Sequence, residues 1–223
     1  MLCSIQAYTT LVTTLSQESV ITAGADLVRE VGWPRLSVRA VAARLGVTPM
    51  ALYRHIPSGD ALSDGVITKI SEGLVDVRNS GDTFSDLERW ARRAHTTLVP
   101  FPGAAAHLLA TWFQVVPVLR AMERLLEVAH AGGLRDFEAV AAVNAVFMYV
   151  LMRAEAEQTV HRARVVRRSL RLATEVDLPH LSALAEHYTT ARFDLHFDYG
   201  LRVLLNGIAM EGAAIRGKPA RGG

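Results

Sequence analysis

The 223-residue sequence predicts an all-α fold, with an N-terminal three-helix, helix-turn-helix head on a larger helical body. Three observations carry that expectation. Apolar residues recur at spacings of three and four through almost every segment, and no segment alternates as a strand would. Two short helical patterns within residues 37–56 are separated by a single glycine and carry basic charge on their outward positions. Beyond about residue 83, helical patterns follow one another with "FPG", "HAGG" and "DLP" as punctuation. Half of the residues are hydrophobic, enough to fill a sizeable core.

The elements follow in order. "MLCSIQAYTTLVTTLSQ" carries no charged side chain and four threonines, and lacks the positive start and continuous apolar run of a signal peptide. Residues 1–15 are therefore expected as a flexible arm. The first helix opens at Ser16 and turns Val20, Gly24, Leu27, Val28 and Val31 inward. "GWPR" stops it, because Gly32 suits a C-terminal cap and Pro34 cannot continue a helix. Ser37 is a good N-cap for a second helix, with Val38, Val41, Ala42 and Leu45 inward. Gly46 ends that helix. Thr48 caps a third, with Pro49 in its first turn, expected to run about seven residues before Pro57. A connecting helix follows from Asp60 to Val77, and "RNSGDT" breaks it. Body helices are expected at 84–99, 103–113, 116–131, 135–160, 162–175, 179–189 and 191–214. As domains, these are a helix-turn-helix unit at 16–58, a connecting helix at 59–78, a body at 79–216 and a frayed tail at 217–223.

The segment 36–56 carries the chemistry. Ala42 is small where two helices must cross, Gly46 admits the left-handed turn, and Leu45, Val47 and Leu52 form an apolar seam. The second helix of such a motif lies in the DNA major groove. From Arg35 to Ile56 the chain has four arginines (Arg35, Arg39, Arg44 and Arg54) and no acidic residue. Arg39 and Arg54 suit guanine O6/N7 or phosphate, Tyr53 and His55 suit phosphate oxygens, and Pro49 and Met50 suit a thymine methyl. Ser37 and Thr48 complete the candidate DNA-binding set. Residues 1–80 hold seven basic and seven acidic side chains, so the positive charge is concentrated on one face. Binding there is expected to be strongly salt-dependent.

"LSVRAVAARLGVTPMALYRHIPSGDALSDGV" resembles the DNA-binding domain of the TetR family of transcriptional repressors, most specifically in "GVT", "LYRH" and the "AL" after them. The resemblance implies a DNA-binding head on a helical body that dimerises and holds a small-molecule inducer. By position it places Arg39, Thr48, Met50, Tyr53 and His55 at base or phosphate contacts. Where the family often has a lysine early in the fourth helix, this chain has Gly59.

In the body, the apolar run at 139–152 and the wide stripe of Phe193, Phe197, Leu201, Leu204, Leu205 and Ile208 need partners on several sides. They could be core helices of a monomer, or two helices from each subunit could close a four-helix bundle. "FDYGLRVLLNGI" is similar to the closing helix of the tetracycline-repressor branch, which favours the homodimer. The expected interface residues are Phe137, Val140, Asn144, Phe197, Leu201, Leu204, Leu205 and Ile208. Twofold symmetry would set two recognition helices roughly 34–36 Å apart on a near-palindromic operator.

His107, Trp112, Phe113, Met122, Phe147, Met148 and Leu151 could line an effector cavity, or form plain core. In the tetracycline repressors, the histidine matching His107 binds the drug's magnesium ion. Arg89 and Val75 stand where that branch has polar drug contacts, so a magnesium–tetracycline chelate is not the expected ligand. Arg89 or Arg93, turned inward, would suit an anionic or carbonyl-rich molecule.

Several classes find no support. The sequence has no phosphate-binding glycine loop, nucleophile elbow or two-histidine metalloprotease helix, so no catalytic role is expected. Cys3 is the only cysteine, which fits a reducing cytoplasm, and the eight histidines show no ligand-type clustering. Glu157 and His161 make one helical pair, a spacing common by chance. No cofactor, metal or membrane partner is expected; the 139–152 run is too short to cross a bilayer. The five arginines of 160–171 read as a solvated helix face. The expected function is a cytoplasmic, ligand-responsive repressor that releases a palindromic operator when a small hydrophobic molecule binds. The alternative is a helical carrier for a hydrophobic metabolite with a degraded DNA-binding head.

Overall fold

The computed structural model describes residues 15–157, 167–168, 171–183, 187 and 193–216, and no strand occurs among them. The arm (but for Leu15), most of the arginine-rich segment with His161, parts of the helices expected at 162–175 and 179–189, and the tail lie outside the described residues.

The head consists of α1 (Gln17–Val31), α2 (Val38–Leu45) and α3 (Pro49–Leu52). Ser16 and Ser19 close a reciprocal capping box: each backbone N–H donates to the other's hydroxyl, at 2.9 and 3.1 Å. Gly32 ends α1 with φ +86°, and a 3₁₀ turn, Trp33–Arg35, leads toward α2. Ser37 accepts the Ala40 N–H at 3.2 Å, so α2 starts where the hydroxyl satisfies an orphan donor. Gly46 ends it in the left-handed conformation, φ +69°, and the next N–H, of Val47, closes on Ala42 O at 3.0 Å. That turn swings α3 across α2 and buries Leu52 completely beside Val41 and Ala42. Helix α3 is shorter than expected. Past Leu52 the chain tightens into a turn, in which the N–H groups of His55 and Ile56 both close on Leu52 O at 2.8 Å, ahead of Pro57. Val31, expected inward, is exposed at the end of α1.

Helix α4 (Gly59–Ser71) packs along α1 and runs from the head to the body. It ends before the expected boundary. A 3₁₀ turn, Glu72–Leu74, replaces its last turns, and the indole N–H of Trp90 donates to Leu74 O at 2.9 Å.

The body contains α5 (Thr83–Leu98), α6 (Ala104–Thr111), α7 (Val116–Ala131), α8 (Asp136–Glu157), the short α9 (Pro179–Ala183) and α10 (Phe193–Arg216). Helix α8 is long and apolar enough by composition to cross a membrane, but α5, α6, α7 and α10 all pack on it. It is the central core helix, with Val143, Val146, Phe147, Val150, Leu151 and Ala154 buried. Helix α6 stops at Thr111, and residues 112–114 form a 3₁₀ turn instead of continuing it.

A Cβ added at Gly46 would meet nothing within 4 Å, so its φ alone penalises a side chain there. Gly46→Ala is expected to lower stability by about 1–2 kcal/mol, and Gly46→Asn by less. Urea denaturation of the three proteins checks this; a wild-type midpoint for Gly46→Ala would show that the turn tolerates another conformation.

Candidate functional site

The expected DNA-binding residues lie on α2, on α3 and in the turn that follows it. Ser37 and Arg39 lie on the first turn of α2, and Thr48, Pro49 and Met50 lie where α3 begins. Tyr53 and Arg54 follow directly, with His55 half-buried beside them. Met50 is 74% exposed. Arg39 and Arg54 are exposed and have no ion-pair partner among the described residues, so their guanidinium donors are available to an anion. Arg44 differs. It forks onto both oxygens of Glu30 at 2.6 and 2.8 Å, which lowers the Glu30 pKa and removes this arginine from the basic face. Gly59 sits at the N-terminus of α4 in open space.

The second surface is apolar. Phe137 is 80% exposed and Val140 is exposed beside it on α8; Tyr199, Val203 and Met210 are exposed on α10. Between the two helices runs a cleft of about 500 Å³, lined by residues that include Leu134, Phe137, Ala141, Val203, Leu204 and Ile208. Asn144 is half-buried, and its Oδ1 accepts no hydrogen bond among the described residues. Leu205 and Ile208 are mostly buried and Leu204 half-buried, at the edge of this face. Phe197 and Leu201, expected at the interface, are instead buried within the chain. Phe197 turns inward because its ring stacks on His95, centroids 4.0 Å apart, and on Tyr149 at 5.7 Å.

The residues expected to line an effector cavity divide. Trp112 lies 5.5 Å from Phe147, Phe147 lies 6.1 Å from Trp90, and Phe113 stacks on Trp112 at 3.6 Å. This aromatic run passes from Trp90, 2% exposed, to Phe113, 70% exposed. Met122 and Met148 are half-buried against the core, and Leu151 is fully buried. The arginines do not join them. Arg89 lies on the outside of α5 and reaches back to the buried Asp86 at 2.5 Å; Arg93, also exposed, pairs with Asp76. Both sit on the polar face of α5, whose other face holds Leu87, Trp90, Ala91 and Ala94. His107 leaves the aromatic run as well, because its ring stacks on Trp33 of the head at 4.3 Å.

A polar cluster that the sequence did not disclose joins α5 to the end of α8. His95 Nε2 and Glu157 Oε1 stand 3.1 Å apart but are poorly aligned for a hydrogen bond, and Arg153 lies 3.9 Å from the same carboxylate. Burial lowers the His95 pKa, against the upward pull of Glu157. Nearby, the Tyr149 hydroxyl reaches His196 O and Phe197 O at 3.0 and 2.9 Å, pinning α10 to α8.

Residues 20–64 match the family model of bacterial regulatory proteins, tetR family, and residues 77–211 match that of the tetracyclin repressor-like C-terminal domain. The chain belongs to the TetR family. It is a DNA-binding transcriptional regulator. It is 29% identical to the HTH-type transcriptional repressor DrrR1 of Streptomyces coeruleorubidus, covering 93% of this chain and 82% of that one. It is 28% identical to the class G tetracycline repressor protein of Vibrio anguillarum, covering 91% and 98%. The fold is shared with the Streptomyces coelicolor protein ActR in complex with actinorhodin, at 23% identity and a TM-score of 0.71, covering 89% and 98%.

Within this TetR-family body, Trp90 and His95 are the residues that sequence reading missed. Both sit on the inward face of α5, where an aromatic or imidazole at helical spacing looks like ordinary core. Their burial has a consequence for pH. His95 and His107 both have lowered pKa values, burial being the main cause in each. The unfolded chain therefore binds more protons as pH falls through the ordinary histidine value of about 6.5. Stability is expected to be full above that value and to decline as pH falls toward the lower native values. Urea midpoints between about pH 7 and about pH 5 check this, and His95→Gln should flatten the decline. A decline as steep in His95→Gln as in the parent would assign it to other groups.

Proposed function

We propose that the chain acts as a homodimeric repressor, which binds a near-palindromic operator and releases it when a polycyclic aromatic molecule occupies the body. The observation that carries the reading is the contrast on the head: Arg39 and Arg54 are exposed, as are Met50 and Tyr53, with no ion-pair partner among the described residues, while Arg44 is neutralised by Glu30. A solvated surface of ordinary purpose would mix both charge signs. The residues proposed to meet DNA are Ser37, Arg39, Thr48, Pro49, Met50, Tyr53, Arg54 and His55.

The dimer is supported by the exposed apolar strip on α8 and α10, for which a twofold-related copy is the natural cover. Phe137, Val140, Asn144, Leu204, Leu205 and Ile208 are its proposed residues, with Val203 and Met210 added and Phe197 and Leu201 left to the chain's own core. The ligand class is supported by the aromatic run through Trp90, Phe147, Trp112 and Phe113, and Met122, Met148 and Leu151 are proposed to join it. Flat fused rings stack on such a surface. ActR was solved with actinorhodin, and a class G tetracycline repressor is among the relatives, which agrees with that chemistry.

The test is fluorescence anisotropy of the chain's own upstream intergenic duplex at two salt concentrations. Arg54→Ala is expected to lose about 1–3 kcal/mol of specific affinity and to relax base preference. Affinity of the parent should fall with salt. Equal, weak binding of both proteins to any duplex would contradict a base-reading role for this face.

A further inference from the structure

Helix α4 is not the only link between head and body. The 3₁₀ turn Trp33–Arg35, between α1 and α2, lies against the turn that joins α5 to α6. The Trp33 N–H donates to Pro102 O at 2.7 Å, and the indole stacks on His107 in the middle of α6, 26° from parallel. Gly32 and Gly103 face each other across this junction, both with positive φ, +86° and +84°. A Cβ at Gly103 would come within 2.8 Å of Trp33 Cβ, and one at Gly32 within 3.4 Å of Pro102 O. The approach at Gly103 is too close for a side chain unless the turn moves, whereas at Gly32 it is the positive φ that disfavours one. Beside it, the Arg29 guanidinium stands 4.8 Å over the buried Phe101 ring.

We propose that Trp33 is a positioning residue: with Pro102, Gly103 and His107 it forms a clasp that fixes the angle of the DNA-binding head on the body. The proposal rests on the reading of the body as the effector-binding part. Its logic is one of adjacency. The clasp holds the turn from which α2, and through Gly46 α3, projects. On the body side it grips α6, whose far end passes directly into the Trp112–Phe113 turn at the outer end of the aromatic run. A molecule that displaces Trp112 therefore pulls on the helix that holds Trp33, and the two arrangements of α6 carry different head angles. Burial keeps the His107 ring neutral against the indole, with Asp64 of α4 the charged group that opposes this.

The experiment measures the head–body distance in the full-length chain. Spin labels are placed at Ala43→Cys on α2 and Glu123→Cys on α7, both exposed, in a Cys3→Ser background diluted with unlabelled protein. The parent is expected to give one narrow distance distribution, Trp33→Ala a broader or displaced one, and Trp33→Phe a return toward the parent. Thermal melts of the same samples show whether each variant folds, and His107→Ala, which removes the stack from the body side, is the second probe should Trp33→Ala not fold. On duplexes with the half-sites at their preferred spacing or one base pair farther apart, Trp33→Ala should lose about fivefold in discrimination. Distributions for folded Trp33→Ala and His107→Ala that match the parent in mean and width would overturn the clasp. If the parent binds no duplex, the regulator reading fails separately, and the distance measurement still decides.

Discussion

The arrangement depends first on how closely α1 and α4 approach. A Cβ at Gly24 would fall 2.6 Å from Val66 Cγ2, and one at Gly65 would fall 2.7 Å from Ile21 Cδ1. Each helix thus contributes a glycine at the point where the other contributes a branched side chain, a reciprocal fit that an added Cβ would force to shift. Helix α4 also packs against α5 and α7, so this contact ties the core of the head to the core of the body. The proposed DNA-binding face inherits its placement from it: α2 and α3 pack on the head's core through Val41, Ala42 and Leu52, all buried.

Charge is organised with equal economy. Residues 1–80 are neutral in sum, yet Glu30 pairs with Arg44, and Arg39 and Arg54 have no ion-pair partner among the described residues. Such a face attracts phosphate at short range and little else at a distance, which suits selective rather than indiscriminate binding. In the body, Asp86 plays a comparable part. Burial pushes its carboxyl up, but the Ser80 backbone N–H, Arg89 and the Ser80 hydroxyl hold its pKa below the ordinary value, anchoring the start of α5. Arg89 thereby serves the scaffold and is not offered to a ligand.

What was legible in the sequence was local. Ser37, Gly46, Thr48 and Pro49 announce the helix-turn-helix because caps and left-handed turns are written in the residues that form them. What was not legible was set by contacts distant in sequence. The break at residues 72–77 falls where Trp90, sixteen positions away, donates to Leu74 O. His107 faces Trp33, and Phe197 faces His95, for reasons that lie on other helices. The direction of Arg89 and Arg93 was open because α5 has apolar and polar faces, and spacing alone did not show which of them turned toward the aromatic run. The place of Phe197 and Leu201 in the chain's own core, rather than at the expected interface, has a related reason: α10 is apolar on more than one side, and only its packing on α5 and α8 separates the inner stripe from the outer.

The central claim is that two copies of this head read DNA together. Selection of bound duplexes from a random-sequence pool by the purified full-length chain tests it most directly. The account predicts enrichment of an inverted repeat, with half-site centres about one helical turn apart or a multiple of it. Enrichment of a lone asymmetric site, or of nothing, would contradict it.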